Sequence, residues 1–374
     1  MNFELTEERQ MLQDTLRRYL ADKYTTKVRN GIIDSETGFS AEIWAELAEL
    51  GVIGALFTEE QGGFGGAGFD LSVVFEELGR AGVVEPFLDT GVLCGRLIAA
   101  LGNADQQAMI EEIIGGGVQL AFAHTEPTAR YDLSRVETGL QGPGETRLTG
   151  RKAVVINAEA ADHLIVSARE SGAVDDTDGI SLFLVAKDAP GLSLRGYPLL
   201  AGGRAAEVTL EDTPATRLGA AGAAFPAIEA AVAAANVALA AEAFGAMNTA
   251  TDLTRDYLMT RQQFGRPIGT FQALQHRMAD LLIELEQARS AVINAAGHLE
   301  SDPRTRDLEI AAARNLIGRV GRLVAEESIQ MHGGIAMTRE YELAHIAKRI
   351  VMTDHRFGDT DYHLERFIDL STAA

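Results

Sequence analysis

The first third of the chain has hydrophobic positions at helical spacing. Leu12, Leu16 and Leu20 recur four residues apart, which places their side chains on one face of a helix. Ser40 stands directly before a second apolar stretch and is a residue type that caps helix N-termini. The pattern therefore predicts an N-terminal helical domain over residues 1–117.

The pattern then changes to the period of two that is typical of strands. Residues 118–124 and 205–210 alternate between the two faces of a strand. Residues 154–156 and 182–185 are short apolar runs with β-branched or aromatic side chains. These runs predict a central β domain, a small barrel or sandwich, over residues 118–219.

Helical spacing returns after residue 220. On one predicted helix, Gly318 and Gly321 permit the close approach of a neighbouring helix. A C-terminal helical bundle over residues 220–374 is therefore expected, and the order of helices, strands and helices makes the fold α+β rather than alternating βαβ. The seam of the bundle consists of apolar positions that step by four and three, namely Leu274, Met278, Leu281, Leu285, Ala288, Val292, Ala295 and Leu299.

Charge and cysteine content exclude several classes of function. The chain has 33 Lys and Arg against 54 Asp and Glu, a net charge of −21. Such a surface repels phosphate backbones, so we expect no nucleic-acid partner. Cys94 is the single cysteine, which excludes an internal disulfide and a multi-cysteine zinc site. The histidines and carboxylates show no metal-ligand spacing, and we predict no metal.

The start of the chain and its one long apolar stretch bear on its location. Residues 1–9 are acidic and polar, whereas a secretory leader starts basic and continues apolar. The alanine-rich stretch 220–247 is interrupted by Pro226, Glu229 and Glu242, so we do not expect it to span a membrane. We therefore expect a cytoplasmic protein without membrane insertion.

A glycine-rich segment matches a nucleotide motif by spacing alone. Residues 63–68 read G-x-G-x-x-G. A dinucleotide fold needs a strand before these glycines and a helix after them, inside a parallel βαβ unit. A helix and a short apolar segment precede them here, so the segment is interpreted as a loop.

Three other segments carry groups suited to a nucleotide, although each has a plainer interpretation. Residues 124–127 end a strand, where the Thr125 hydroxyl can bind the edge of a heteroaromatic ring or simply begin a turn. Arg261 and Phe264 are spaced to share a helix face, which suits a pyrophosphate beside a flat ring, or a helix C-terminus packed on a core. The paired glycines within 330–334 bring backbone amides near a ligand, or cap a helix.

Taken together and in order, these segments resemble the acyl-CoA dehydrogenase family over essentially the whole chain. The resemblance is closest to the small subunit of pimeloyl-CoA dehydrogenases, which share runs similar to residues 121–127 and 357–359. Each motif is weak alone, and the ordered set is specific. The motifs are Glu59-Glu60-Gln61-Gly62-Gly63, Thr125-Glu126-Pro127, Gly150-Arg151-Lys152, Arg261-x-x-Phe264-Gly265 with Phe271-Gln272, and Gln330 with its glycines.

The resemblance implies a reaction, a cofactor and partners. Members of the family use FAD to convert a saturated acyl-CoA into a trans-2-enoyl-CoA, the chemistry of fatty-acid β-oxidation. A carboxylate removes the α-proton while the β-hydrogen leaves as a hydride to the flavin. An electron-transfer flavoprotein or similar acceptor then takes the electrons. The expected assembly is a dimer of dimers, made of identical chains or of this chain with a homologous large subunit as a heterotetramer.

The resemblance also implies which residues bind FAD. One group lies along the flavin ring, a second faces the ring from its other side, a third reaches the FAD of a neighbouring subunit, and a fourth meets the pyrophosphate and adenosine. In that order they are Phe122, His124 and Thr125; Val155 and Ile156; Arg261, Phe264 and Gln272; and Gln330, Gly333 and Gly334, with Thr360 added from the C-terminal loop.

The catalytic base of the family is missing from both of its usual positions. Gly358 stands where medium-chain members have the glutamate of a Tyr-Glu-Gly-Thr segment, and Ala235 occupies the alternative position on the first bundle helix. Three explanations remain open. Asp359, one residue along, serves as the base; a homologous large subunit carries it; or the flavin scaffold performs different chemistry, such as an oxidase reaction. Asp359 is the candidate catalytic residue of this chain.

A second departure concerns the substrate. Arg130 and Tyr131 replace the Gly-Ser pair that follows Thr-Glu-Pro in the family. An arginine there can pair with the distal carboxylate of a dicarboxylyl-CoA or with a CoA phosphate, or it is a solvated loop residue. The rival to an enzyme is a non-catalytic structural subunit that completes the FAD site of a catalytic large subunit.

Overall fold

A computed structural model describes residues 5–140 and 146–372 and confirms an α+β chain of helices, strands and helices. Over these residues the α-helices are α1 (Glu7–Lys23), α2 (Thr26–Ile33), α3 (Ala41–Glu49), α4 (Gly68–Ala81), α5 (Gly95–Leu101), α6 (Ala104–Gln107), α7 (Met109–Ile114), α8 (Phe225–Thr260), α9 (Gln272–His298), α10 (Pro303–His332), α11 (Glu342–Thr353) and α12 (Thr360–Thr372). Phe87–Cys94 is π-helical, and 3-10 turns occupy Gly54–Leu56, Glu59–Gln61, Ile268–Thr270 and Gly333–Met337.

The described strands form one large sheet and one small ribbon. They are β1 (Leu120–Ala123), β2 (Gly139–Leu140), β3 (Arg147–Ile156), β4 (His163–Arg169), β5 (Ile180–Ala186), β6 (Leu192–Pro198), β7 (Arg204–Pro214), β8 (Thr216–Leu218), β9 (Gln262–Gln263) and β10 (Arg266–Pro267). The large sheet has the order β6-β7-β3-β2-β4-β5-β8, and β1 pairs with β4 in parallel.

The described chain divides into two compact units. The first consists of Met1–Asn30, Ala67–Val83 and Asn236–Ala374, and the second of Gly31–Gly66 and Val84–Ala235. These bounds differ from the three domains predicted from the sequence, which end at residues 117 and 219, because helix α4 packs against the C-terminal helix α9 and α1 packs against α4. The three-domain boundaries stay a prediction.

In the second unit the sheet encloses an apolar core. Alternate residues of its strands, among them Leu148, Leu164, Phe183 and Val208, are buried together. Ser40 caps α3 as predicted, since its hydroxyl accepts a hydrogen bond from the Ile43 amide at 3.3 Å.

In the first unit the long helices pack as predicted by the apolar seam of α9, which is buried from Leu281 to Ala295. Gly318 and Gly321 of α10 allow the close approach expected of them. A β-carbon on Gly318 would lie 2.1 Å from Thr360 Oγ1, and one on Gly321 would lie 2.9 Å from Ile350 Cγ2.

The length and composition of helix α8 would allow it to cross a membrane, but the helix is buried in the core of the protein. Of its most apolar 18-residue window, 94% is buried inside the protein. Within the first unit, α8 meets α4 through two reciprocal glycines. A β-carbon on Gly79 would lie 2.0 Å from the Glu242 carbonyl oxygen, and one on Gly245 would lie 1.9 Å from that of Glu76.

The helix predicted through residues 261–264 does not form. Helix α8 ends at Thr260, and β9 and β10 form an antiparallel hairpin instead of further helix. Phe264 and Gly265 make its turn, with φ of 55° and 77°. Arg261 and Phe264 therefore do not share a helix face.

The α4–α8 crossing should be sensitive to a single methyl group. We expect Gly245→Ala to lower the free energy of unfolding by about 3 kcal/mol, because the new methyl overlaps the backbone of α4. Urea unfolding followed by circular dichroism measures the change. Gly297→Ala in α9 is the matched control: its nearest neighbour would be Phe69 Cζ at 3.4 Å, so a helical alanine should stabilise by about 1 kcal/mol. Equal effects of the two substitutions would contradict this account of the crossing.

Candidate functional site

The end of strand β1 presents the first group of candidate residues. The rings of Phe122 and His124 stack with centroids 5.2 Å apart and planes 2° apart. Thr125 follows, half-buried, and its carbonyl accepts a hydrogen bond from the Ala153 amide at 2.8 Å. Among the described residues the Thr125 hydroxyl has no protein partner, so it is available to a ligand.

A buried ion pair fixes this strand end. Lys152 is fully buried, and its Nζ donates to Glu126 Oε1 at 2.7 Å, to the His124 carbonyl at 3.2 Å and to Ser167 Oγ at 2.9 Å. All three protons of the ammonium group are therefore used. The bonds to the His124 carbonyl and to the Glu126 side chain hold the residues directly before and after Thr125. Lys152 therefore fixes the position of Thr125 without a hydrogen bond to Thr125 itself.

Glu126 extends the same network to the next loop. Its Oε1 also accepts from the Thr138 amide at 2.9 Å, and its Oε2 accepts from the Glu137 amide at 2.7 Å. Arg169 donates to the carbonyls of Ser134 and Val136 at 2.7 and 3.0 Å. The loop that contains Arg130 and Tyr131 is thus fixed at its C-terminal end.

Burial and charge set the protonation states in this network. Burial lowers the pKa of Lys152 to about 8, against the opposing effect of Glu126. Burial alone would raise the pKa of Glu126, but the charge and hydrogen bond of Lys152, with Thr138, hold it below its ordinary value. Burial and the Lys152 charge lower the pKa of His124 to about 3. The His124 ring is therefore neutral near pH 7. Its Nδ1 and Ser167 Oγ share a hydrogen bond of 2.9 Å, in which the tautomer of the ring decides the donor.

Strand β3 corrects one predicted residue. The Val155 side chain is 1% exposed and belongs to the apolar core of the sheet, so it cannot face a ligand. Successive side chains of a strand point to opposite faces of the sheet, so Val155 and Ile156 cannot both face the same ligand. Val154 is 51% exposed and Ile156 is half-buried. Val154 replaces Val155 in the candidate set.

The substrate candidates lie on the loop after Pro127. Arg130 is exposed with a φ of 50°, and its guanidinium carbon lies 5.3 Å from the centre of the Tyr131 ring. The N–H groups of a guanidinium point outward in its plane, so a ring that covers its face leaves these donors at the edge. Arginine binds carboxylates and phosphates through this edge.

The second group of candidates belongs to the first compact unit. Phe264, at the hairpin turn, is 90% exposed and packs edge-on against Phe271 with centroids 6.1 Å apart. Arg261 and Gln272 are also exposed, the latter at the start of α9. Exposed side chains of this kind can meet a neighbouring molecule.

The end of α10 presents the third group. Gln330 is exposed, and Gly333 caps the C-terminus of the helix. Open space surrounds Gly333 and Gly334, since a β-carbon on either would meet nothing within 4 Å. Behind them the buried His332 stacks on Tyr257 with centroids 4.4 Å apart, which gives the open glycines a rigid support.

The C-terminal loop contains the candidate base. Asp359 caps helix α12, because its Oδ1 accepts from the Tyr362 amide at 2.9 Å. The Thr360 hydroxyl is bound to both carboxylate oxygens of Asp354 at 3.0 Å. The buried Arg314 fixes the loop from below by donating to the carbonyls of Thr353, Arg356 and Gly358.

The first of the two usual base positions, Gly358, has no room for a glutamate, and the second is buried. Gly358 has a φ of 121°, and a β-carbon there would lie 2.4 Å from Tyr362 Cδ1 and 2.6 Å from His363 Nε2. Ala235 on α8 is fully buried. The sequence pattern does not indicate the roles of Ser167, Arg314 and His363. An isolated polar residue within a strand or helix has no local signal that marks it as functional.

The residues described above fit a flavin nucleotide by their chemistry. The available Thr125 hydroxyl lies at the rigid end of β1, and the exposed apolar side chain of Val154 lies on the adjoining strand β3, which suits a flat ring with polar edges. Open glycines end α10, where backbone can approach a ligand. Among the described residues, no group of three or more His, Cys, Asp or Glu side chains can hold a metal ion.

Comparison with known proteins agrees with this chemistry. Three family models match in order: the acyl-CoA dehydrogenase N-terminal domain at residues 6–116, the middle domain at 121–213 and the C-terminal domain at 222–368. The probable acyl-CoA dehydrogenase YngJ of Bacillus subtilis is 30% identical over 91% of this chain and 92% of its own length.

Two solved structures share the fold closely. Butyryl-CoA dehydrogenase from Megasphaera elsdenii superposes with a TM-score of 0.89 over 100% of both chains, at 26% identity. A variant of the Tcur3481-Tcur3483 steroid ACAD superposes with a TM-score of 0.88 over 98% of both chains, at 31% identity. With domain models matching almost the whole described chain, the protein belongs to the acyl-CoA dehydrogenase family and is an FAD-dependent oxidoreductase.

Proposed function

We propose that this chain is one subunit of an enzyme that converts an acyl-CoA thioester into its trans-2-enoyl-CoA. The observation that carries the proposal is the strand end at Thr125, where an available hydroxyl stands on backbone fixed by the buried Lys152. When bound, FAD supplies the acceptor for the β-hydrogen, which leaves as a hydride. Phe122, His124 and Thr125 hold the ring, and Val154 and Ile156 shield it from water.

The remaining FAD residues are proposed to act between subunits. Arg261, Phe264 and Gln272 are exposed in the single chain, as expected of residues that reach a neighbour's FAD. Gln330, Gly333 and Gly334 leave an open surface for the pyrophosphate and adenosine. Thr360 would contribute through its backbone, because its hydroxyl is already bound to Asp354.

Proton removal needs a carboxylate that this chain does not supply at the usual positions. An α-proton beside a thioester is weakly acidic, so its removal requires a positioned base and donors at the thioester oxygen. Asp359 is engaged as the cap of α12. We infer that a homologous large subunit provides the base in a heterotetramer, as the two protein names of the similar steroid ACAD also suggest. Asp359 as the base is the alternative.

The substrate and partners follow from the same assignment. Arg130 is proposed to bind an anionic group, either the distal carboxylate of a dicarboxylyl-CoA or a CoA phosphate. The resemblance to the small subunit of pimeloyl-CoA dehydrogenases remains a prediction. It agrees with the carboxylate of a dicarboxylyl-CoA as the group that Arg130 binds. The reduced flavin is proposed to pass its electrons to an electron-transfer flavoprotein or similar acceptor in the cytoplasm.

The subunit assignment is tested by purifying the chain alone and with a homologous large subunit. We expect acyl-CoA to bleach the visible absorbance of flavin only in the co-purified assembly, because the base comes from the partner. Stoichiometric flavin that is bleached in the isolated chain would show that this chain is catalytically complete. A colourless assembly would overturn the proposed function.

Asp359 is tested by two substitutions that separate its roles. Asparagine caps a helix about as well as aspartate but cannot remove a proton, whereas alanine does neither. In the assembled enzyme we expect Asp359→Asn to keep kcat within about twofold, and Asp359→Ala to cost about 1 kcal/mol of stability. A fall in kcat of about 100-fold or more for Asp359→Asn would instead identify Asp359 as the base.

The Thr125 hydroxyl is tested by an isosteric change. Thr125→Val removes one hydrogen bond to FAD and should weaken its binding about fivefold to tenfold, a loss of about 1 kcal/mol. Titration of the flavin-free protein with FAD, followed by fluorescence quenching, measures the affinity. Thr216→Val, at an exposed position of strand β8, is the control and should leave the affinity unchanged. Equal affinities for the two variants would remove Thr125 from the site.

A further inference from the structure

Val154 has a backbone conformation that its side chain disfavours. Its φ is 53°, in the left-handed region. A β-branched residue in this region is an outlier, since its Cβ substituents crowd the neighbouring carbonyl oxygen. Strain of this kind persists only when the surrounding structure holds it, and it concentrates at functional sites.

A bulge in strand β3 accounts for the strain. Lys152 pairs with Val208 of β7, and the next pair is Val155 with Ala206. Two residues of β3, Ala153 and Val154, therefore stand opposite the single residue Glu207. Such a bulge turns a side chain out of the regular alternation, and here it turns Val154 outward to 51% exposure.

Glu207 of the adjacent strand β7 and Tyr197 of β6, one strand further along the sheet, hold the bulge. The Val154 amide donates a long hydrogen bond of 3.5 Å to Glu207 Oε1, and the Tyr197 hydroxyl donates to the same oxygen at 2.8 Å. Burial and the Glu207 carboxylate raise the pKa of Tyr197 to about 12, so the hydroxyl stays a donor near neutral pH. The oxygen is thus held between two donors.

The bulge is joined directly to the strand end that the proposed function uses. The Ala153 amide donates to the Thr125 carbonyl at 2.8 Å. Moving the bulge therefore moves the backbone on which the Thr125 hydroxyl stands. The exposed, apolar side chain of Val154, next to Ala153, has no role in the core of the sheet.

We propose that Glu207 and Tyr197 are positioning residues that hold Val154 in its strained conformation and thereby set an apolar wall against the flavin beside Thr125. This inference rests on the proposed FAD site. Glu207 and Tyr197 do not touch the flavin. They act through the Val154 amide, and Val154 makes the contact.

The test compares stability without FAD with binding of FAD. Val154→Gly relieves the strain, so it should raise the Tm of the flavin-free protein by about 2 °C and weaken FAD binding at least fivefold. Glu207→Ala and Tyr197→Phe release the bulge, and should weaken FAD binding to a similar extent and shift the visible absorption band of the bound flavin. Glu207→Gln keeps an acceptor oxygen and should restore the affinity to within about twofold.

Glu211→Ala is the matched control, an exposed glutamate on the same strand β7. It should change neither the affinity nor the spectrum. Parental affinity and spectrum in either Val154→Gly or Glu207→Ala would overturn the inference while leaving the proposed function intact. Equal losses in Glu211→Ala and Glu207→Ala would also overturn it. Failure of the assembled parent protein to bind FAD would instead refute the proposed function.

Discussion

The arrangement of the candidate site depends on one buried ion pair. Lys152 and Glu126 lie 2.7 Å apart with almost no exposure to solvent. Each loses its hydration at a large cost, which is offset only because their remaining hydrogen-bonding capacity is also used, by His124, Ser167, Glu137 and Thr138. Removing one partner would leave an uncompensated charge in the sheet. The pair therefore fixes the end of β1 and the following loop as one rigid piece.

The C-terminal loop is also held rigidly, but there the rigid backbone excludes a catalytic glutamate at the usual position. The backbone at Gly358 and the rings of Tyr362 and His363 occupy the space a glutamate would need. Arg314 secures the same loop through three carbonyls. A loop fixed so firmly leaves no position from which a glutamate at residue 358 could act.

The sequence predicted the fold class and the family because both depend on local periodicity and ordered motifs. Ser40 and the seam of α9 are examples, since each is defined by residues close in sequence. Val155 was misplaced because adjacent strand residues point to opposite faces and a bulge is invisible in the hydrophobic pattern. Phe264 was misplaced because helical spacing was extended beyond Thr260. Ser167 pairs only after distant strands meet, so no local pattern indicates its role.

The β9–β10 hairpin has a consequence for the assembly of subunits. It carries Phe264 at its turn, 90% exposed, on a ribbon whose two strands pair with each other. Covering this ring with the surface of a neighbouring subunit would remove a large apolar area from water. In the proposed assembly the hairpin would therefore add to the stability of the contact between subunits rather than to the stability of the single folded chain.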